Sequence, residues 1–297
     1  MSIPSWVAQS VFYQIFPERF CNGDPANDPP GSASWGAAPE LFNHFGGDLK
    51  GIIDRLPYLQ DLGINALYLT PIFMAPSNHK YDTADYLKID PAFGDLALCK
   101  ELVRSAHSGG IRVVMDAVFN HCGEEFWAFK DLKQRGVESK YRDWFLVQDY
   151  PICKEPASYQ TCGGAAFLPK LNVENPDVKA YLLSTARYWL EETGMDGWRL
   201  DVPWKVPLDF WREFYSTVKA INPQAYVVAE AWRDPAPWIN GDTSDGIMNY
   251  PLRDYILEFC VFDRMDAEDF FYFVTRLLDL YGDAAPYQLN FLGCHDT

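Results

Sequence analysis

The sequence predicts an α/β fold of the (β/α)8 barrel kind, because short apolar strand-like runs alternate with longer amphipathic stretches along nearly the whole chain. Two further observations sharpen that expectation. Ionisable residues recur at the strand ends, where a parallel barrel gathers its site. One connection is also far too long for an ordinary loop, as an inserted subdomain would be.

The pattern opens with VFYQIF (11–16), and the helical run LKGIIDRLPYLQDLG leads to ALYLTP (66–71). A second helical run, LALCKELVRSAHSGG, precedes IRVVMDAV (111–118), and its closing glycines suit a helix C-terminus. About 55 residues then pass before helical periodicity resumes near Asn175, so 120–174 reads as a small subdomain inserted between two parts of a barrel, 1–119 and 175–297. NPDVKAYLLSTARYWLEETG then leads to GWRLDV (197–202), followed by YVVAEA (226–231) and GIMNYP (246–251). After the helical run AEDFFYFVTRLLDLYG, LNFLGC (289–294) reads as a seventh strand. No eighth strand follows before Thr297, so the expectation is a barrel cut short after its seventh strand, with open edges that favour aggregation.

Composition narrows the partners. Twenty-five basic against 41 acidic side chains leave a formal charge of −16, which repels nucleic acid and anionic membrane surfaces. Aromatic residues make up 16% of the chain, a supply of flat faces for stacking on sugar rings as well as for a core. No apolar run reaches the ~20 residues that span a bilayer, and the start MSIPSWVAQS lacks a basic segment followed by an apolar one, so a cytoplasmic location is expected. Seven scattered cysteines without a CxxC pair read as free thiols.

The chemistry sits at the strand ends: Asp116 with Asn120 and His121, Arg199 with Asp201, Glu230, and His295 with Asp296. One acidic residue there is usually a solvated loop residue or helix cap; four in otherwise apolar runs converge on one face of a barrel. Without a Ser–His or Cys–His arrangement, they indicate acid/base and nucleophilic carboxylate chemistry. Asp201 and Glu230 can supply the pair. Arg199, two residues before Asp201, is expected to keep that carboxylate ionised, whereas Glu230, beside apolar residues and Trp232, is expected to hold a proton. Gly-rich phosphate loops are absent from the sequence.

The ordered blocks DAVFNH (116–121), GWRLD (197–201), AE (229–230) before AW, and GCHD (293–296) resemble the four motif regions of the α-amylase superfamily, glycoside hydrolase family 13. LPKLN (168–172) resembles the fifth region of its neopullulanase, cyclomaltodextrinase and maltogenic amylase group. The resemblance implies retaining hydrolysis of α-1,4-glucosidic bonds, with Asp201 as nucleophile, Glu230 as acid/base and Asp296 as the third, transition-state-stabilising carboxylate. It further implies that Arg199, His121 and His295 meet the sugar ring, that Tyr81 is the platform beneath it and that His79 lies beside it. An α-glucan is the implied partner, and no organic cofactor is needed. Transglycosylation through the same intermediate, or sugar binding without turnover, are the alternatives.

The loop NGDPANDP (22–29) offers Asn22, Asp24, Asn27 and Asp28, hard oxygens that suit either Ca²⁺ or a simple turn cluster. The resemblance implies a structural calcium, completed by the Gly46 carbonyl and Asp48. The chain departs from the group after Asp201, where Val202-Pro203-Trp204-Lys205 replaces the usual V-A-N-E, and again where Arg233 follows Trp232. In the group these positions face the leaving-group side, so Trp204, Lys205 and Trp232 are expected to touch substrate there and to alter its selection.

Overall fold

The structure, a computed structural model, describes residues 4–297, so the first three residues of the N-terminal stretch lie outside it. Its elements run β1 (Phe12–Ile15), α1 (Leu49–Asp61), β2 (Ala66–Leu69), β3 (Phe73–Met74), β4 (Asp85–Ile89), α2 (Leu96–Ser108), β5 (Arg112–Ala117) and α3 (Trp127–Arg135). There follow β6 (Thr161–Cys162), β7 (Ala165–Pro169), α4 (Pro176–Thr193), β8 (Gly197–Leu200), α5 (Leu208–Ile221), β9 (Tyr226–Ala231), β10 (Gly246–Asn249), α6 (Tyr250–Cys260) and α7 (Ala267–Tyr281).

Six of the strands form one parallel sheet in the order β1-β2-β5-β8-β9-β10, curled as the staves of a half-barrel. The strands are short and β-branched or aromatic, and the helices between them begin at side-chain caps: Asp48 on Gly51 N–H for α1, Asp95 on Leu98 N–H for α2, and Asn175 on Val178 N–H for α4. Gly194, in the left-handed region at φ 69°, ends α4 and turns the chain into β8.

Strand parity decides what faces the barrel interior. Leu67, Val113, Met115, Trp198, Leu200, Val227 and Ala229 point outward into the large cluster under the helices, while Val114, Tyr226 and Val228 fill the bottom of the interior. On the inward parity above them come Tyr68, Asp116, Arg199, Glu230 and Met248, held level by pairing Asp116 with Arg199 and Met248 with Glu230.

Two expectations are corrected. The run 289–294 is not a strand: a single parallel bridge joins Leu289 to Met248, after which the backbone turns away and presents residues 293–296 over the sheet. Helical structure resumes well before Asn175, because α3 lies within the long excursion. That excursion also holds the antiparallel hairpin β6–β7, and its Phe126, Phe129, Trp144, Tyr159 and Leu171 merge with the core under the barrel helices. A second hairpin, β3–β4, unmarked in the sequence pattern, carries the loop with His79 and Tyr81.

Candidate active site

Arg199 organises the upper interior. Its Nη1 lies 3.1 Å from both carboxylate oxygens of Asp116 and 2.8 Å from Asp201 Oδ1, and its Nη2 lies 3.0 Å from Glu230 Oε2. One guanidinium therefore serves three buried carboxylates, and Asp296 Oδ2 stands 3.9 Å from Nη2 at the rim. The residues expected to form the acid pair are brought to a single cation.

This sharing sets two opposing influences on Asp201. Burial pushes its carboxyl well above the usual range; Arg199 opposes that, but Asp116 and Glu230 add to it. Glu230 is raised as well, chiefly by burial and against the pull of Arg199. A single guanidinium is shared among three carboxylates, so it offsets the effect of burial on each only in part.

The hydrogen bonds of the pair differ. Glu230 accepts from Val202 N–H at 2.8 Å and from the Trp232 indole N–H at 2.5 Å. Val202 reaches that position with φ 44°, a conformation that costs a β-branched residue roughly 1–3 kcal/mol and aims its N–H at Glu230. Asp201 Oδ2 is buried and has no partner, as is His121 Nε2. Burial lowers His121 to about 4, so the imidazole is neutral near pH 7.

Across the site, Tyr81 donates to Asp116 Oδ2 at 2.9 Å and lies 2.7 Å from His295 Nε2, with the two ring planes within 8°. Gln14 donates to His295 Nδ1, which leaves the imidazole proton on Nε2, facing Tyr81. His79 Nδ1 accepts from the Tyr81 backbone N–H at 3.1 Å. The loop that carries both is pinned by Lys80, whose ammonium reaches Asp90 at 2.7 Å. Burial lowers His79 and His295, so these imidazoles also favour the neutral form.

Four contacting residues escaped the sequence reading. Tyr68 donates to Asp116 at 2.6 Å, Met248 packs its sulfur 3.4 Å from Arg199 Nε, Gln14 orients His295, and Tyr250 stacks on Trp232 at 4.0 Å while its hydroxyl lies 3.3 Å from Asp296. Tyr68, Gln14 and Met248 share the inward strand parity, a signal the sequence does carry once strand bounds are known. Asp116 is the most heavily used carboxylate of the group.

Beside Glu230 opens a cavity of about 700 Å³, walled by Trp204, Val206, Trp232, Arg233, Pro237 and Trp238. Trp204 and Trp232 therefore line one cavity, both exposed. Lys205 instead borders a neighbouring hollow with Lys170, which donates to its carbonyl at 2.8 Å. On the opposite flank His79 borders a separate cavity with Trp35, Leu41 and Arg19.

The remaining candidate cluster is remote from these carboxylates in the fold of the N-terminal loop. Asn22 donates to Asp28 at 2.7 Å, and the Asn22 and Asn27 amide oxygens are buried without partners. Gly46, at φ 76°, approaches so closely that a Cβ would lie 2.2 Å from Asp28 Oδ1. Two orphaned oxygens beside a carboxylate are a donor set that a hard cation fits. Asp48 already receives Gly23, Asp24 and Gly51 N–H groups and the Asn27 amide, so it clamps the loop and caps α1. Asp24 likewise accepts from Ala26 N–H at 3.1 Å.

A curled parallel sheet with an arginine-bridged set of carboxylates at its C-terminal strand ends is the architecture of a barrel-type catalytic domain. The chain belongs to the α-amylase family: residues 14–297 match the α-amylase catalytic domain. It is 51% identical over 99% of its length to neopullulanase 2 of Thermoactinomyces vulgaris, covering 51% of that protein, and 51% identical to the cyclomaltodextrinase of Geobacillus thermopakistaniensis, covering 50%. The chain thus spans about half the length of the curated relatives it matches. Cyclic α-maltosyl-(1→6)-maltose hydrolase of Arthrobacter globiformis superposes with a TM-score of 0.97 at 47% identity, over 99% of this chain and 67% of that one, and it has been solved with its cyclic sugar bound.

Proposed function

We propose that this chain hydrolyses α-1,4-glucosidic bonds of maltooligosaccharides, cyclodextrins or pullulan with net retention of configuration. The observation that carries the reading is Asp201 Oδ2, a buried carboxylate oxygen left free while its twin is fixed by Arg199. That oxygen attacks the anomeric carbon as the glycosidic C–O bond breaks, and Glu230 passes its proton to the departing oxygen. Glu230, now a carboxylate, takes a proton from water; the hydroxide displaces Asp201 and regenerates both groups. Before attack, Asp201 must be a carboxylate and the proton must reside on Glu230. A sugar that brings its hydroxyls to His121, His295 and Asp296 would favour that distribution by supplying Asp201 with donors.

Tyr81, held by Asp116 and His295, would be the aromatic platform beneath the ring, with His79 beside it. Trp204 and Trp232 line the cavity where the leaving sugar would lie, and Lys205 borders the neighbouring hollow. The relatives named for neopullulanase and cyclomaltodextrinase, and the cyclic-sugar hydrolase, support an α-glucan substrate. A calcium ion would be held by Asn22, Asn27 and Asp28 with the Gly46 carbonyl, Asp24 and Asp48, and would brace the loop after β1. We read 120–174 as a small inserted subdomain that roofs the site through His121 and Lys170, which form a β-bridge.

A cytoplasmic location is supported by seven free thiols. No helix among the described residues is long and apolar enough to cross a membrane. The test of activity is reducing-sugar release from maltotriose: Asp201→Asn and Glu230→Gln should each lose at least about 10³-fold in kcat, and near-normal turnover in either overturns the assignment. The tryptophan-walled cavity also favours a second reading, in which a sugar hydroxyl replaces water; products longer than maltotriose would reveal it.

A further inference from the structure

The segment that turns over the sheet after the Leu289 bridge brings three different metal-ligand types together. Ligand atoms of Cys294, His295 and Asp296 all lie within 4.8 Å of one another. Consecutive residues in a strand would project to opposite faces, so this convergence depends on the turn that replaces the expected strand. His295 Nε2 stands 3.4 Å from Asp296 Oδ1, Tyr250 Oη lies 3.4 Å from Cys294 Sγ and 3.3 Å from Asp296 Oδ2, and Cys294 and His295 are only partly exposed.

We propose that Cys294, His295 and Asp296 form a binding site for a borderline divalent cation such as Zn²⁺, whose occupancy switches the neighbouring carboxylate site off. A thiolate, an imidazole and a carboxylate, with water in the fourth position, make a donor set suited to Zn²⁺ and poorly suited to Ca²⁺ or Mg²⁺. Binding releases the Cys294 thiol proton to solvent. It takes His295 Nε2 from Tyr81, and the ring proton moves to Nδ1, where the Gln14 amide oxygen accepts it once the amide has turned over. Asp296 is then committed to the metal and lost to Arg199 and Tyr250. The binding half of the inference stands on geometry alone; the inhibitory half rests on the proposed hydrolase reading.

The experiment titrates the metal-free 1–297 chain with Co²⁺, which reports thiolate ligation by a near-ultraviolet charge-transfer band, and then displaces it with Zn²⁺. The expected result is one thiolate-ligated Co²⁺ per chain. Cys294→Ser should abolish the band and weaken Zn²⁺ binding more than about tenfold, and Cys294→Ala guards against an effect peculiar to serine. Cys153→Ser, at an exposed cysteine outside the cluster, should leave both readouts unchanged. An unaltered band in both Cys294 variants overturns the site. If the band behaves as expected, maltotriose hydrolysis should fall with added Zn²⁺, recover with chelator, and resist Zn²⁺ in Cys294→Ser. Equal inhibition of wild type and variant overturns the switch, whereas absence of hydrolysis before any metal is added overturns the hydrolase reading and leaves the binding result standing.

Discussion

Asp116 holds Arg199 by both carboxylate oxygens, each 3.1 Å from the same guanidinium nitrogen, in the interior of the half-barrel where neither side chain meets solvent. Asp116 also receives the hydroxyls of Tyr68 and Tyr81. It is a positioning residue that fixes the guanidinium from below so that the upper edge can meet Asp201 and Glu230.

Asp116→Asn should therefore do damage from a distance. Removing one partner of a buried ion pair costs roughly 3 kcal/mol of stability, and Arg199 will relax toward its remaining carboxylates. Chemical denaturation should show the lower stability. The kcat for maltotriose should fall more than tenfold, with a smaller change in KM. An Asp116→Asn protein with wild-type kcat would show that the fixation is irrelevant to turnover.

Trp232→Phe isolates one hydrogen bond. The phenyl ring keeps the stack on Tyr250, but Glu230 loses the indole donor that favours its charged form. Its pKa therefore rises further, and the alkaline limb of the pH–rate profile, which reports loss of the acid's proton, should move upward by about one pH unit. A limb that stays or moves down contradicts this role.

His121 predicts a specific acid sensitivity. Unfolded it titrates near 6.5, whereas folded it titrates at about 4 because burial disfavours the imidazolium. Between those values the unfolded chain binds more protons, so this group's contribution is intact above 6.5 and is lost as pH falls toward 4, by roughly 3 kcal/mol at most. The raised carboxyls Asp201 and Glu230 act in the opposite sense but are common to both proteins compared. His121→Gln should show a shallower loss of stability over that interval in denaturant titrations at successive pH values; parallel curves would contradict the assignment.

The calcium reading predicts a chelator effect confined to one loop. A cation at a hundredfold its Kd adds about 2.7 kcal/mol, so EDTA should lower Tm, and Asp28→Ala should lower it without EDTA and erase any further response. Hydrolysis of maltotriose well below both midpoints should change little, because the loop after β1 contributes none of the reacting carboxyls.

The sequence carried the strands and carboxylates with some fidelity because barrel strands are short, apolar and punctuated by their functional ends. Asp201, Glu230, Arg199 and His121 were legible for that reason. Two kinds of information were not. The turn at 290–296 is built from residues that suit a strand, Phe291 and Leu292 among them, and only the bridge at Leu289 shows where pairing stops. The sharing of Arg199 among three carboxylates depends on register between β5, β8 and β9, which spacing along one strand cannot reveal. Burial, which the sequence did not reveal, opposes the pull of Arg199 on Asp201. Trp232 was placed against substrate, but its indole N–H also belongs to Glu230.

Gln14 and His295 meet across a separation of 281 residues, and Tyr81 and His295 across 214. On the ribosome, a nascent chain that has already released Asp201 and Glu230 still lacks the imidazole that completes the far wall. The far wall therefore closes only when segments far apart along the chain meet, so its assembly is coupled to completion of the curled sheet rather than to any single strand–helix unit.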